Sequence, residues 1–268
     1  MPEGHTIHRM ARDHAKWLGN QVVTMSSPQG RFDDGAATLN GWVFRRAFAH
    51  GKHLFYVFEG AHAQSILVHI HLGLFGRFRK RKTPEDTPSP NCRLRMQTDT
   101  TILDLSGPTC CEVMTQEQAM AKCSQLGPDP LRSDGELDLF AQRLSRRRIP
   151  IAAALLDQKV IAGLGNIYRA DLLYLHRIDP LTPARDLELE TVKALWNTAV
   201  WWLELGVRAN RIITVLPAPP KRLPRLKRRE ALLIYGKSYC PECGGQVQKS
   251  QVGNRTLYAC SRCQVRTQ

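Results

Sequence analysis

Residues 155–174 read LLDQKVIAGLGNIYRADLLY, and this stretch decides the interpretation of the second half of the chain. A short apolar helix is predicted to end near Asp157, and a double turn that contains glycines follows it. A new helix then begins at Asn166. Gly163 and Gly165 allow a ligand to approach the backbone closely, and the first amides of the new helix are expected to be unpaired donors at its positive end. Two interpretations are open: the turn binds phosphate, or Asn166 is an ordinary N-cap.

The sequence before this motif predicts one helix followed by a β-rich region. Apolar residues recur at helical spacing from residue 7 to residue 18, and the helix is expected to end near Gly19. Short β-branched or aromatic segments then alternate with turn signals, and these predicted strands are 22–25, 43–48, 53–58, 66–70, 93–97 and 101–105. This pattern is typical of a two-sheet β-sandwich. The polar, proline-rich residues 82–90 are expected to form a mobile loop within it.

A domain boundary is predicted at LGPDPLRSDGE, residues 126–136, where proline, glycine and aspartate separate a strand-rich half from a helix-rich half. Beyond the boundary, helical periodicity is present at 138–146, 151–157, 166–176 and 188–207. We therefore expect an α+β protein with domains at 1–126 and 138–268, joined by an interdomain hinge at 127–137. The second domain divides into a helical region, 138–230, and a cysteine-containing end, 231–268.

The charge of the chain favours a polyanionic partner. The 38 Lys and Arg residues exceed the 24 Asp and Glu residues, which gives a formal net charge of +14. Residues 207–268 alone hold 13 basic and 2 acidic residues. This concentration indicates nucleic acid, with a merely basic tail or an anionic membrane as the alternatives. Apolar stretches are too short to cross a bilayer and the N-terminus does not resemble a secretion signal, so we expect a soluble protein that is not secreted.

Four of the eight cysteines form a paired motif, Cys240-Pro-Glu-Cys243 and Cys260-Ser-Arg-Cys263, with sixteen residues between the pairs. Two CxxC pairs at this separation supply four thiolates to a tetrahedral zinc ion on a β-hairpin, whereas either half alone could be a redox pair. The zinc is expected to replace a hydrophobic core and to do no chemistry. The other four cysteines lack regular spacing and are expected to be buried free thiols: Cys92, Cys110, Cys111 and Cys123.

Two further stretches have both a structural and a functional interpretation. Between the cysteine pairs, Asn254-Arg255-Thr256 interrupts the strand pattern, so Arg255 is expected at the hairpin tip, either as a phosphate contact or as a solvated charge. In IHLGLFGRF, Leu74 and Phe75 lie side by side between two glycines. The sequence alone favours a buried pair or a bulge, and a wedge inserted into a base stack is the alternative.

Taken together, the terminal MPEG, GKHLF, HLGLFG, LLDQKVIAGLGNIYRADLL and the closing C-x2-C...NRTLYACSRCQ resemble the bacterial formamidopyrimidine-DNA glycosylase and endonuclease VIII family. These motifs occur in the family's order and span nearly the whole chain. The resemblance implies a catalytic β-sandwich at 1–126, a helix-two-turns-helix region at 138–230 and a zinc finger at 231–268. It also implies a bifunctional base-excision-repair DNA glycosylase and AP lyase that acts on damaged double-stranded DNA. A non-catalytic zinc-containing nucleic-acid-binding protein is the alternative.

The resemblance assigns the chemistry to the start of the chain. It implies that Met1 is removed, that the amine of Pro2 attacks C1′ of the damaged nucleotide to form a Schiff base, and that β- and δ-elimination then cut the strand. A terminal amine is neutral at pH 7 far more often than a lysine, so it is the readier nucleophile. Glu3 corresponds to the general acid that protonates the sugar ring oxygen. Lys52 corresponds to a lysine that contacts phosphate and assists in the site.

The resemblance also assigns the contacts with DNA. His71, Asn166 and Arg255 match phosphate contacts beside the extruded nucleotide, and in this context Leu74 and Phe75 are expected to fill the space that the nucleotide leaves. The adjacent Leu-Phe pair resembles the endonuclease VIII branch, so oxidised pyrimidines are the expected substrates.

Two residues depart from the pattern that the resemblance implies, and one basic segment has a counterpart in only some relatives. Gly73 stands where the endonuclease VIII branch often has glutamine, and Asp171 stands where a glutamate is usual. The basic residues 219–229 lie where some relatives have a lesion-capping loop. We expect a monomer in the bacterial cytoplasm, associated with the nucleoid.

Overall fold

The computed structural model describes residues 2–81, 87–216, 218, 220–223, 225–227 and 229–265. The chain folds into two compact units. The first contains Pro2 and Ile7–Gln125, and the second contains Glu3–Thr6 and the chain from Leu126 onward. The first turn of the N-terminal helix is therefore part of the second unit, although the rest of the helix belongs to the first.

The described residues of the first unit form eight strands, three α-helices and a short 3₁₀ helix (Ala61–Ala63). The helices are α1 (Gly4–Leu18), α2 (Asp33–Leu39) and α3 (Gln116–Ser124). The strands are β1 (Gln21–Ser26), β2 (Trp42–His50), β3 (His53–Glu59), β4 (Ser65–His71), β5 (Arg77–Arg81), β6 (Cys92–Gln97), β7 (Ile102–Ser106) and β8 (Cys110–Met114). The six strands that the sequence predicts are confirmed within one or two residues. The predicted loop at 82–90 lies partly outside the described residues.

Strand β1 connects the two parts of the sheet. The pairing order is β5-β7-β6-β1-β2-β3-β4-β8, and every pair is antiparallel. The first half of β1 pairs with β2, whereas its second half pairs with β6. Apolar side chains from both parts pack in one core, which includes Phe44 and Tyr56 on one side and Leu94 and Leu103 on the other. The predicted β-sandwich is thus confirmed, with one strand shared between its two sheets.

The sequence patterns missed two strands and two helices of this unit. β5 reads RFRKR and β8 reads CCEVM, so neither shows the aromatic or β-branched alternation by which strands are recognised. α3 could have been predicted from the sequence, because Thr115 and Gln118 form a capping box at its start. Of the cysteines expected to be buried, Cys92 is buried and the other three are partly exposed.

The second unit is helical and ends in a two-stranded hairpin. Its elements are α4 (Leu137–Ser145), α5 (Ile151–Ala154), α6 (Asn166–Leu175), α7 (Leu189–Ala209), β9 (Gln248–Val252) and β10 (Arg255–Ala259). α5 is shorter than predicted because the backbone continues from Leu155 to Asp157 in tight turns. α7 buries the apolar face that its periodicity predicts, including Trp196 and Trp202, around which the core of this unit forms.

The segment expected to act as a hinge, 127–137, belongs to the second unit and is hydrogen-bonded within it. The amide of Gly127 donates to the carbonyl oxygen of Gln158, and the amide of Ala162 donates to that of Pro128. The hinge assignment itself stays a prediction. Among the described helices, none has the length and apolar character needed to cross a bilayer.

Candidate active site

Glu3 is fully buried, and both oxygens of its carboxylate accept backbone hydrogen bonds at the start of α6. Oε2 lies 2.8 Å from the amide nitrogen of Gly165, and Oε1 lies 3.1 Å from that of Ile167. These amides belong to the positive end of the α6 dipole, which stabilises a negative charge. The expectation that the first amides of this helix are unpaired is therefore wrong for Ile167, because the chain supplies its own carboxylate. The amide of the preceding Gly165 is bonded to the same carboxylate.

Glycine is required on both sides of this contact. A Cβ on Gly165 would lie 2.4 Å from Cδ of Glu3, and a Cβ on Gly4 would lie 2.8 Å from Cα of Gly163. The amide of Gly4 also donates to the carbonyl oxygen of Gly163 at 2.8 Å. The close backbone approach that the glycines of GLG predict is thus present, and the group that approaches is the segment Glu3–Gly4.

Asn166 is the first residue of α6, and its side chain bonds to the C-terminal hairpin instead of capping the helix. The N-cap is Gly165, so the N-cap interpretation of Asn166 is wrong. Nδ2 of Asn166 donates to the carbonyl oxygen of Thr256 at 2.8 Å, and Oδ1 accepts from the guanidinium of Arg169. Asn166 therefore ties the helix start to strand β10.

Arg169 is a fully buried residue of this site that the sequence analysis missed. Its guanidinium donates to the carbonyl oxygens of Ala152 and Thr256 at 3.2 and 3.3 Å. Burial lowers the pKa of Arg169 to about 10, while the carboxylate of Glu3 acts in the opposite direction. At neutral pH the arginine is charged and compensates the buried charge of Glu3. The sequence signal that could have identified Arg169 is its position one helical turn after Asn166, which places both residues on the same helix face.

Arg255 lies next to the hairpin turn, one residue beyond its predicted place. Gly253 and Asn254 form the turn, and Arg255 is the first residue of β10, paired with Val252. Its positive charge contributes to the lowered pKa of Arg169. The second unit thus brings together Glu3, Asn166, Arg169 and Arg255.

The four cysteines of the paired motif also come together in the second unit. Their sulfur atoms all lie within 4.8 Å of one another, with 3.8 Å between Cys240 and Cys263 and 3.5 Å between Cys243 and Cys260. Tetrahedral coordination with metal–sulfur bonds of ~2.3 Å separates the sulfur atoms by about 3.8 Å. The cluster therefore fits one metal ion. The hydroxyl of Tyr174 on α6 lies 3.1 Å from Sγ of Cys240, which links the cluster to the helix that begins at Asn166.

Asp171 stabilises the segment that leads from the helices to this cluster. Its buried carboxylate accepts the hydroxyl of Thr214 at 2.5 Å and the amides of Leu233, Ile234 and Tyr235 at 2.9–3.0 Å. Burial raises the pKa of Asp171, and these hydrogen bonds act in the opposite direction. The residue noted in the sequence as an aspartate in place of a glutamate is thus a structural anchor.

Lys52 and His71 lie close together in the first unit. Gly51 and Lys52 form the turn between β2 and β3, and His53, the next residue, is paired with His71 on β4. Burial lowers the pKa of His71, and the charges of Lys52 and Lys122 lower it further. At neutral pH His71 is therefore an uncharged hydrogen-bonding side chain beside a charged lysine.

Leu74 and Phe75 lie exposed in the turn between β4 and β5. The exposed fraction is 48% for Leu74 and 84% for Phe75, so the pair is not part of a core. Gly73 has φ +64, and a Cβ at this position would lie 1.8 Å from Oγ1 of Thr109. A glutamine at position 73 would therefore need a different backbone here. Pro2, half-buried, belongs to the same unit.

The basic segment at 219–229 is only partly described, because residues 219, 224 and 228 lie outside the described residues. Its described residues form no helix, as the prolines predict. Together with the end of α7 they line an open cleft whose walls include Arg211, Arg225 and Lys227.

Comparison with known proteins identifies relatives of both units. The family model described as the formamidopyrimidine-DNA glycosylase N-terminal domain matches residues 1–110, and the one described as the formamidopyrimidine-DNA glycosylase H2TH domain matches residues 126–216. Endonuclease 8 1 of Mycobacterium tuberculosis is 42% identical over 271 residues, which cover 98% of this chain and 100% of that protein. The formamidopyrimidine-DNA glycosylase of Latilactobacillus sakei is 35% identical over 155 residues, covering 56% and 55% of the two chains.

Solved structures share the fold. Lactococcus lactis Fpg in complex with DNA that contains an oxidised pyrimidine superposes with a TM-score of 0.82, at 23% identity, over 99% of this chain and 100% of that one. A complex of the same enzyme with DNA that contains an abasic site gives a TM-score of 0.82 at 22% identity, over 98% and 100% of the two chains. At this level of identity the likeness concerns the fold alone.

Proposed function

The chain belongs to the formamidopyrimidine-DNA glycosylase and endonuclease VIII family of DNA glycosylases with AP lyase activity, and we propose that it removes oxidised pyrimidines from duplex DNA through a Schiff base at Pro2. The observation that carries the proposal is the environment of Glu3. A carboxylate that directly follows a proline in the chain is fully buried and is held by two amides at a helix start. Such preorganisation is typical of a group with a chemical role.

The proposed reaction begins with the amine of Pro2, exposed by removal of Met1. The lone pair of its nitrogen attacks C1′ of the damaged nucleotide, and the bond from C1′ to the base breaks with its electron pair. The amine then loses its proton as the ring C1′–O4′ bond opens, which leaves a C1′=N⁺ iminium. This cation acidifies the 2′ carbon, and loss of the 2′ proton expels the 3′ phosphate by β-elimination. A δ-elimination then expels the 5′ phosphate.

Glu3 is proposed to carry protons between these atoms. As a carboxylate it accepts the proton that Pro2 loses, and it then donates this proton to O4′ as the sugar ring opens. The N–H donors of Gly165 and Ile167 hold the charged form in place before the first transfer and after the second. Arg169, buried in the same unit and charged at neutral pH, compensates the charge of Glu3.

Phosphate contacts are proposed on both units. Asn166 retains a second N–H on Nδ2 beyond the one that bonds to Thr256, and Arg255 contributes a positive charge at the hairpin turn. In the first unit Lys52 supplies a charge and His71 supplies an uncharged hydrogen bond donor, because its pKa is lowered. We propose that 1–126 is the catalytic domain, that 138–268 is the DNA-binding domain, and that 127–137 is the hinge between them.

The exposed turn between β4 and β5 supports two parts of the proposal: a wedge into the base stack, and oxidised pyrimidines as substrates. Leu74 and Phe75 present apolar surface to solvent, which a base stack would cover once the damaged nucleotide is extruded. A contiguous pair of this kind is the arrangement of the endonuclease VIII branch, which is why oxidised pyrimidines are the proposed substrates. The enzyme is proposed to act as a monomer in the bacterial cytoplasm, associated with the nucleoid.

The metal of the cysteine cluster is proposed to be zinc. Four thiolates in tetrahedral arrangement are the donor set that structural zinc prefers, and they leave no open position for a substrate. When bound, the ion holds the hairpin that carries Arg255 and takes no part in the reaction. A sample saturated with metal and then dialysed should contain zinc at this site, and Cys243→Ser should weaken both zinc retention and DNA binding.

Borohydride trapping with a blocked and an unblocked Pro2 tests the mechanism. The chain is produced behind a cleavable N-terminal extension, so that the same protein is compared before and after a protease exposes the Pro2 amine. With duplex DNA that contains an oxidised pyrimidine, reduction should trap a covalent protein–DNA complex only after cleavage. Intact mass should show that native active enzyme begins at Pro2. Equal trapping or strand cutting by the blocked form would refute the role of Pro2.

The same experiment separates the enzyme from the alternative of a non-catalytic nucleic-acid-binding protein. That alternative predicts salt-dependent DNA binding with no adduct in either form, on any lesion. A panel of duplexes with oxidised pyrimidines, oxidised purines and abasic sites determines the substrate class. Faster excision of purines than of pyrimidines would contradict the proposed specificity.

A further inference from the structure

A second cluster of metal-ligating side chains lies in the first unit, away from the four cysteines. It consists of His69 on β4 with Cys110 and Glu112 on β8. The pairing of these strands places His69 directly opposite Glu112 and places Cys110 opposite His71, two residues further along β4. One ligand atom of each side chain lies within 4.8 Å of the other two. The three donor types, imidazole, thiol and carboxylate, are those that zinc binds in proteins.

The distances within this cluster are close to those of a coordination shell. Nδ1 of His69 lies 3.7 Å from Sγ of Cys110 and 2.8 Å from Oε1 of Glu112. A tetrahedral zinc ion bonded to nitrogen at ~2.0 Å and sulfur at ~2.3 Å separates those two atoms by about 3.5 Å. For nitrogen and oxygen ligands the separation is about 3.3 Å, so Glu112 would need to move by about 0.5 Å. Its side chain is 43% exposed and can make that adjustment.

His53 supplies the supporting contact that histidine ligands of metals usually have. Its Nδ1 lies 2.8 Å from Nε2 of His69, and the two rings stack at a centroid distance of 5.0 Å. If Nδ1 of His69 binds the metal, Nε2 carries the proton and donates it to His53. A ligand histidine whose second nitrogen donates to a fixed partner is held in the tautomer and orientation that coordination requires. His69 itself is 1% exposed, so its ring is fixed by packing as well.

The charges around the cluster are compatible with a divalent cation. A thiolate and a carboxylate neutralise a divalent ion when both bind it. Nζ of Lys122 on α3 lies 3.6 Å from Oε1 of Glu112, and this partly exposed lysine would turn toward solvent when the metal takes its place. Three protein ligands leave a fourth position that water can fill.

We propose that His69, Cys110 and Glu112 bind one borderline divalent cation of the zinc class, separate from the ion of the four-cysteine cluster. This cation would join β4 to β8 beside the edge of the sheet. The proposal does not depend on the reaction mechanism, because none of the three residues has a role in it.

Metal counting on full-length protein tests the proposal, and the difference between variants is the readout. After saturation with zinc and removal of the excess, the wild type should hold one zinc ion per chain more than Cys110→Ser or Glu112→Gln. Cys111→Val is the matched control, because this neighbouring residue packs in the core on the other face of the sheet. It should bind as many ions as the wild type.

Cobalt provides a second readout that reports the ligand type. Co²⁺ added to protein whose four-cysteine cluster already holds zinc should give a thiolate-to-cobalt charge-transfer band. The band should disappear in Cys110→Ser and remain in Cys111→Val. Circular dichroism checks that each variant is folded. If Cys110→Ser does not fold, the zinc count of Glu112→Gln takes its place. Equal metal content in wild type and both cluster variants, or a cobalt band that survives in Cys110→Ser, would overturn the proposal and leave the cluster as a hydrogen-bonded network.

Discussion

Glu3 and Phe75 depart from the usual burial of side chains in opposite directions. Glu3 is an ionisable side chain with no exposed surface, and Phe75 is a large aromatic side chain that is 84% exposed. Most buried side chains are apolar and most ionisable ones are exposed, so a buried carboxylate and an exposed phenylalanine are the informative exceptions. The first has its partners within the chain. Most of the Phe75 ring lies in solvent among the described residues, and under the proposed function DNA would cover it.

The energetics of the two residues follow from this difference. Burial of an unpaired carboxylate would cost several kcal/mol, but two amides, a helix dipole and a nearby buried arginine compensate Glu3. An exposed phenylalanine forgoes the ~1.5–3 kcal/mol that full burial of such a side chain provides. On the proposal that the aromatic ring inserts into a base stack, that free energy would become available at insertion. Glu3 is thus organised before DNA binds, whereas the proposed role of Phe75 would begin only afterwards.

The largest expected effect is that of Glu3→Gln. Glutamine keeps one oxygen that can accept from an amide, but its NH₂ group meets the other N–H donor and it cannot transfer the proton. We expect base excision to slow by ~10²- to 10⁴-fold. Single-turnover excision measures this rate, and fluorescence anisotropy with a lesion duplex should show DNA affinity within a few-fold of wild type.

A charge-matched control uses Glu190→Gln, an exposed glutamate at the start of α7 whose side chain is 81% exposed. It should leave excision unchanged. If Glu3→Gln excised within ten-fold of wild type, the buried carboxylate would be structural and its contrast with Phe75 would have no chemical meaning.

Asp104→Asn tests whether a buried carboxylate can serve stability alone. Oδ1 of Asp104 accepts from Arg95 and Oδ2 accepts from Arg81, both at 2.7 Å, on neighbouring strands of the first unit. Asparagine removes the negative charge that faces both largely buried arginine side chains, so we expect a loss of ~3–5 kcal/mol in the free energy of unfolding. Urea unfolding measures it. Excision per folded molecule should stay within a few-fold of wild type.

The pH dependence provides a second test of Asp104. Burial alone would raise the pKa of Asp104, but the hydrogen bonds and charges of Arg95 and Arg81 lower it below its ordinary value of 3.8. A lowered pKa in the folded state contributes stability above the unfolded value, and this is lost as the pH falls from about 4 toward the lowered pKa. The wild type should therefore lose its advantage over Asp104→Asn in that range.

Gly165→Ala tests the close contact that holds Glu3. The new Cβ would lie 2.4 Å from Cδ of Glu3, so the carboxylate must move away from the amides. We expect a stability loss of ~1–3 kcal/mol and, because Glu3 is displaced, excision slower by ~10- to 100-fold. Urea unfolding and single-turnover excision measure the two effects.

A double-mutant cycle isolates the contact. In a Glu3→Ala background the clash is absent, so Gly165→Ala should lose most of its stability cost. An equal cost in both backgrounds would mean that the strain arises elsewhere in the turn.

Sequence patterns located the elements whose signal is local. α1 and α7 follow from apolar residues at helical spacing, and the four cysteines follow from their own spacing. The role of β1 could not be predicted in this way, because its two halves pair with strands that are far apart in the chain. β5 was not predicted because most of its residues are charged. Periodicity reports which face of a segment is buried, not which distant segment covers it.

In the candidate site, too, local motifs were predicted from the sequence and long-range contacts were not. Glu3 and Asn166 were singled out from motifs, yet the bonds that define their roles join residues more than eighty positions apart. The first amides of the helix that begins at Asn166 were predicted to be donors, but nothing local indicated that Glu3 accepts from Gly165 and Ile167. Arg169 was missed because an arginine in a helix is usually solvated, and only the tertiary structure buries it beside a carboxylate.

The smallest expected effect is that of Phe75→Ala, and it is the one that tests the exposed member of the comparison. Removal of the ring deletes no core contact, so the free energy of unfolding should change by less than ~0.5 kcal/mol. Extrusion of a nucleotide from a duplex costs a few kcal/mol, part of which the inserted ring offsets. Excision from duplex DNA should therefore slow by about ten-fold, as measured under single-turnover conditions.

Single-stranded DNA with the same lesion separates the wedge from other roles of the turn. There the nucleotide has no pairing partner and little stacking to lose, so Phe75→Ala should excise it at nearly the wild-type rate. Leu181→Ala, which removes a leucine that is 62% exposed in the second unit, should affect neither substrate. Equal slowing on duplex and single strand would assign Phe75 to lesion contact, because a ring that only replaces a stacked base has nothing to contribute where no stack exists.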